Sequence, residues 1–109
     1  MANERRQFER YSVNIPTIVE EDDHNAKAKD ISIGGLAFNT TCSYEQDDQL
    51  KLIFTVKGHE AKITGIIRVK IDRDSSFTYG VAFENKSLDI MKKLVTNRYL
   101  IESLVVNKN

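Results

Sequence analysis

The stretch Leu50-Lys51-Leu52-Ile53-Phe54-Thr55-Val56-Lys57-Gly58-His59-Glu60-Ala61-Lys62-Ile63-Thr64-Gly65-Ile66-Ile67-Arg68-Val69-Lys70-Ile71 reads as two strands joined by a tight turn. Leu50, Leu52, Phe54 and Val56 alternate with Lys51, Ile53, Thr55 and Lys57. Ala61, Ile63, Gly65, Ile67, Val69 and Ile71 then alternate with mostly polar partners. A period of two buries one face of a strand and wets the other, the signature of antiparallel sheets. Gly58-His59 marks the hairpin turn.

The same period recurs on either side. Val13, Ile15, Thr17 and Val19 share one face, and Pro16 among them suits an edge strand. Glu20-Glu21-Asp22-Asp23-His24-Asn25 interrupts the pattern as a solvated loop. Lys27 to Ile31 is a weaker strand, and Leu36, Phe38 and Thr40 resume the alternation after Gly34-Gly35. Asp72 to Ser76 is a loop, followed by alternating Phe77, Tyr79, Val81 and Phe83. Several such strands with short connections favour a closed or split barrel, because closure removes exposed edges. At Ser87 the spacing becomes helical. Ser87 is a good N-cap, Asp89 suits the first turn, and Leu88, Met91, Leu94, Val95, Tyr99, Ile101 and Leu104 form an apolar stripe to pack on the barrel. The fold expected is mainly β: an antiparallel six-stranded, split β-barrel with a C-terminal α-helix.

The chain has 109 residues, 40% apolar and 29% charged, which suits one domain with one core. Lys+Arg and Asp+Glu both number 16, so the formal net charge is zero. That argues against a general nucleic-acid binder, whose affinity rests on excess positive charge. An oligonucleotide-binding barrel would also show an aromatic-rich basic face, and the chain has no tryptophan. Cys42 is the only cysteine, which fits a reducing compartment. No apolar run follows the basic residues near Met1, so no signal peptide is expected. Nor does any apolar stretch reach the length of about 20 residues that a membrane helix needs. A cytoplasmic protein with no membrane segment is expected.

Enzymatic chemistry is not expected. His24 and His59 are the only histidines, both at turns, and neither has a nucleophile partner. The acidic run at Glu20 to Asp23 lacks the alternating ligands and glycine of a calcium loop, so it reads as a solvated hairpin tip rather than a metal site. Gly34-Gly35 is not a phosphate loop, because no Lys-Ser/Thr follows at the required spacing. Arg68 reads as a surface arginine.

Two short segments carry binding chemistry. Arg6-Gln7-Phe8-Glu9-Arg10 places two arginines four residues apart, with Arg5 beside them; three of the chain's six arginines lie here. Asp30-Ile31-Ser32-Ile33-Gly34-Gly35 is an Asp-x-Ser-x-x-Gly bend. A guanidinium grips phosphate, pairs with guanine O6 and N7, or stacks on a base. A carboxylate accepts from guanine N1–H and N2–H, a donor pair that adenine lacks. Ser32 can donate to a phosphate or hold the bend, and Gly35 leaves room for close approach. Together they suggest a guanine nucleotide with phosphates as ligand.

The order and spacing of these segments, with Tyr79-Gly80-Val81-Ala82-Phe83 leading into a helix, resemble the PilZ domain, a bacterial receptor module for cyclic di-GMP. The resemblance covers nearly the whole chain and implies a cyclic di-GMP ligand held by Arg6, Arg10, Asp30, Ser32 and Gly35, with no other cofactor. Arg5, just before the motif, would add a guanidinium and favour a stacked pair of ligands over a single one. The resemblance further implies a flexible N-terminal arm over residues 1–12 that wraps the ligand against a domain at 13–106. Ordering of that arm would signal to a downstream protein partner, from either a monomer or a dimer. The alternative is a protein-interaction barrel of the same fold that works without nucleotide.

Overall fold

In a computed structural model the described residues are 9–106. They form six antiparallel strands: β1 (Tyr11–Val19), β2 (His24–Ile31), β3 (Gly35–Thr40), β4 (Gln49–Val56), β5 (His59–Asp72) and β6 (Phe77–Phe83). The strands close in the order β1-β2-β3-β6-β5-β4. Closure rests on a short contact, since β1 meets β4 only at Ile18 opposite Ile53 and Val19 opposite Leu52. Pro16 lies on β1 outside that contact, so its missing N–H breaks no β1–β4 bond there.

The alternating residues fill the interior. Val13, Ile15, Val19, Leu36, Phe38, Leu50, Leu52, Phe54, Val56, Ile63, Ile67, Tyr79, Val81 and Phe83 are all buried in one core. Phe38 and Phe77 pack on Tyr79, with ring centroids 5.3 and 6.0 Å away. The β4–β5 turn is centred on Lys57 and Gly58, one residue earlier than the sequence suggests. Both have positive φ, 51° and 82°, which matches the right-handed twist of a two-residue hairpin.

The six-stranded antiparallel barrel with a helical C-terminal segment is as expected, and the differences are in detail. Val69 and Ile71 do not share the buried face of Ile63 and Ile67; they are 50% and 42% exposed. A bulge is the cause. Ile67 pairs with Val81 but Val69 pairs with Gly80, so Arg68 is an extra residue and everything after it changes face. The single helix starting at Ser87 is instead two helices, α1 (Asn85–Thr96) and α2 (Arg98–Leu104). Glu84 occupies the N-cap position of α1, and Asp89 lies outside the first turn. Ser87 is buried, and its Oγ accepts the Thr64 N–H at 2.7 Å, tying the helix to β5. Asn97 separates the helices and caps α2, its side chain accepting the Leu100 N–H at 3.2 Å. Met91, Leu94, Val95 and Ile101 join the barrel core.

Chain direction assigns the connections to two ends. The turn at 20–23, the loop at 41–48 and the turn at 73–76 share one end. The bend at 32–34, the turn at 57–58 and the start of α1 share the other, together with Arg10. At this second end the residues after α2 pair with β1: the Val106 N–H bonds the Ser12 carbonyl at 3.0 Å, beside a Val13–Val105 bridge.

Candidate functional site

The site is built where β2 leaves the barrel. Strict alternation would turn Asp30 inward with Ala28. The strand avoids burying a carboxylate by bulging: Ala28 pairs with Phe38 and Asp30 with Ala37, leaving Lys29 without a partner on β3. Opposite, β1 carries its own irregularity between Ser12 and Ile15. Along β2 the burial therefore runs buried, exposed, half-buried, buried from Ala28 to Ile31. Lys29 and Asp30 both face outward while Ile31 returns to the core, which a period of two cannot produce.

Arg10 lies against this carboxylate. Its Nε is 3.4 Å from Asp30 Oδ1, and the two side chains are 46% and 33% exposed. In a partly wet setting such a pair adds little to stability. Next to Arg10, the Tyr11 hydroxyl donates to Glu9 Oε1 at 3.2 Å. Burial and then the Glu9 carboxylate raise the pKa of that phenol above its ordinary value.

The bend after Ile31 is closed by Ser32. Its Oγ accepts the N–H groups of Gly34 and Gly35 at 3.2 and 3.3 Å, and its own N–H bonds the Gly35 carbonyl at 2.9 Å. Of the two roles read from sequence, holding the bend is the one its contacts support. Gly34 then accepts the Phe83 N–H at 3.0 Å, fastening the bend to the end of β6. Gly35 is required by packing: a Cβ there would stand 2.3 Å from the Val81 carbonyl oxygen. Its close approach is to β6, whatever else lies above it.

Among the described residues, then, the fold brings together Arg10, Asp30, Ser32 and Gly35. Arg5 and Arg6 lie outside the described residues. Arg68 is a surface residue 3.4 Å from exposed Asp47. The acidic run has structural tasks. Glu21 accepts the Lys51 N–H at 3.0 Å, Glu20 approaches Lys62 at 3.8 Å, and Asp22 accepts the Tyr44 hydroxyl at 2.9 Å. Among the described residues no group of three acidic, His or Cys side chains could hold a metal ion. None of the helices there is long and apolar enough to cross a membrane. Sequence reasoning missed the bulge that aims Asp30; the available signal was a carboxylate in an inward-facing slot.

The family model described as PilZ domain matches residues 4–100. Among solved structures, the PilZ domain of YcgR from Escherichia coli with c-di-GMP superposes with a TM-score of 0.71 at 12% identity, covering 91% of this chain and 92% of that one. The inhibitor of motility MotI/DgrA of Bacillus subtilis gives 0.67 at 18% identity, over 88% of this chain and 51% of that one. The MrkH–c-di-GMP complex of K. pneumonia gives 0.68 at 19% identity, over 91% and 54%. The chain thus spans about half the length of the last two. At these identities the likeness is one of fold. No curated protein matches by sequence.

Proposed function

This chain belongs to the PilZ domain family, and from that premise we propose that it is a cyclic di-GMP receptor, a binding module and not an enzyme. The observation that carries the proposal is the bulged β2, which aims Asp30 outward beside Arg10 at a fastened bend. Two neighbours of the same fold, the PilZ domain of YcgR and MrkH, are complexes with c-di-GMP, which supports the same ligand class here.

In the proposed complex Asp30 releases Arg10 and accepts guanine N1–H and N2–H. Arg10, freed, turns to a phosphate or to guanine O6 and N7. Arg6 reaches the same ligand, and Arg5 adds a guanidinium that favours a stacked pair. Ser32 and Gly35 keep the bend in the shape that presents Asp30. Of the arm expected over residues 1–12, Tyr11 and Ser12 are paired in β1 with Ile31 and Asp30, so it is the segment ahead of β1 that acts as an arm whose position differs between free and bound protein. A ligand shifts that balance only through its different affinity for the two states, and a cytoplasmic partner protein reads the difference.

The test is a calorimetric titration of the protein with cyclic di-GMP, which reports affinity and stoichiometry together. Amide shifts followed by NMR should move near Arg6 and near Asp30. A flat titration would instead favour a barrel that binds proteins without nucleotide.

A further inference from the structure

The bulge in β2 has a counterpart in β5, and the two lie on opposite sides of the β3–β6 pair. Their registers meet in one cross-strand row: Asp30 on β2 opposite Ala37 on β3, Ala37 opposite Gly80 on β6, Gly80 opposite Val69 on β5. Asp30 and Val69 are the residues that the bulges turn outward at the two ends of this row. At adjacent-strand spacing they stand about 14 Å apart along the sheet.

The middle of the row is low and apolar. Ala37 and Gly80 are half-exposed, each between two buried neighbours, so both face outward. A Cβ placed on Gly80 would sit 3.5 Å from the Val69 Cβ, which puts Val69 and Gly80 on the same face. That distance is an ordinary contact, and Gly80 is not among the residues with positive φ. Neither packing nor backbone conformation demands a glycine there. This contrasts with Gly35, where a side chain meets backbone at once. What the missing side chain at Gly80 leaves is space outside the barrel, bounded by Val69, whose apolar side chain is 50% exposed.

We propose that Ala37 and Gly80 form the floor, and Val69 the far wall, of a trough that receives the face of a guanine whose N1–H and N2–H edge is held by Asp30. This rests on the receptor reading above and adds residues outside its arginine and Asp-x-Ser-x-x-Gly segments. An in-plane hydrogen bond to Asp30 directs the base along the row. Its face then covers two strands without a polar side chain beneath it, and its opposite edge meets the Val69 methyls. Removal of those apolar surfaces from water favours the bound state. A carboxylate at one end, an uncharged floor and an aliphatic wall suit a flat heterocycle with a donor edge.

Calorimetry with cyclic di-GMP on the full chain tests this. Val69→Ala should weaken binding about three- to tenfold, as expected for lost apolar contact. Val69→Asp should weaken it more, because a second negative charge faces the ligand. Gly80→Leu should fill the trough and lower affinity by roughly 30-fold or more. Ile18→Ala, an exposed apolar change elsewhere on the barrel, should bind as the parent does. Thermal melts identify any variant that fails to fold; should Gly80→Leu do so, the near-isosteric Val69→Thr serves with a smaller loss. In the parent protein the Val69 methyl resonances should shift on titration. Parent binding with unchanged affinity in the folded Val69 and Gly80 variants overturns the trough and leaves the receptor reading standing. Absence of binding by the parent overturns both.

Discussion

Arg10 Nε and Asp30 Oδ1 stand 3.4 Å apart on the outer surface of the barrel, joining the residue before β1 to the bulged end of β2. A partly exposed pair of this kind contributes about 1 kcal/mol or less to folding, whereas each hydrogen bond to a charged ligand group contributes about 1.5–3 kcal/mol. Function and stability should therefore separate. Arg10→Ala and Asp30→Ala are each expected to weaken cyclic di-GMP binding by about ten- to 100-fold, with melting midpoints shifted by no more than a few degrees. Calorimetry and thermal melts check the two halves, and unchanged affinity removes these residues from the site.

Gly35→Ala should behave in the opposite way. Its Cβ would meet the Val81 carbonyl oxygen at 2.3 Å, so β3 and β6 must part. We expect a loss of on the order of 3 kcal/mol in unfolding free energy by urea denaturation. A variant as stable as the parent would show that the strand pair yields easily.

Ser32→Ala removes the acceptor shared by the Gly34 and Gly35 N–H groups. Loss of this local closure should lower stability by about 1 kcal/mol and raise hydrogen exchange at both amides. Faster exchange confined to other parts of the chain would contradict the bend-holding role.

Tyr79→Phe addresses the other end of the barrel. The buried Tyr79 hydroxyl accepts the Tyr44 N–H at 2.7 Å and donates to the Cys42 carbonyl at 2.9 Å, pinning the loop at 41–48. Deleting it leaves both groups without their partner, at a cost of about 1–3 kcal/mol. Cyclic di-GMP affinity should be unchanged, because the bend at Asp30 lies at the opposite end; a parallel loss of affinity would refute that separation.

Tyr44 supplies a pH test. Burial raises its phenol pKa, and the hydrogen bond to Asp22 and the neighbouring Cys42 side chain raise it further. The folded state thus holds this proton more tightly than the unfolded chain does. Its contribution to stability is complete below the ordinary tyrosine pKa of about 10 and declines as pH rises above it. Unfolding free energy measured against pH should fall in that alkaline range, and less steeply in Tyr44→Phe. Equal slopes would sink the assignment.

Most of the architecture was legible in one dimension. Alternation at Leu50–Val56 and at Phe77–Phe83 places residues that are buried in the barrel, because a strand repeats its faces every two residues. The change to helical spacing read at Ser87 announced a C-terminal helix, though not its start at Asn85 or the break at Asn97. Arg10, Asp30, Ser32 and Gly35 were legible as a set because their spacing forms a motif, and the fold does gather them.

The sequence by itself determined the strand pattern, the barrel class and the presence of a cationic segment and an acidic bend. Only the tertiary structure decided which way Asp30 and Val69 face. Each follows a bulge, and a bulge is a mismatch between two paired strands. A carboxylate in an inward-facing slot, as at Asp30, is the one trace it leaves in a single strand; its place and direction arise only when cross-strand register, core packing and the cost of burying a carboxylate are satisfied together. The same reason explains Gly35, whose missing side chain is explained by the Val81 carbonyl of a strand more than 40 residues further along the chain.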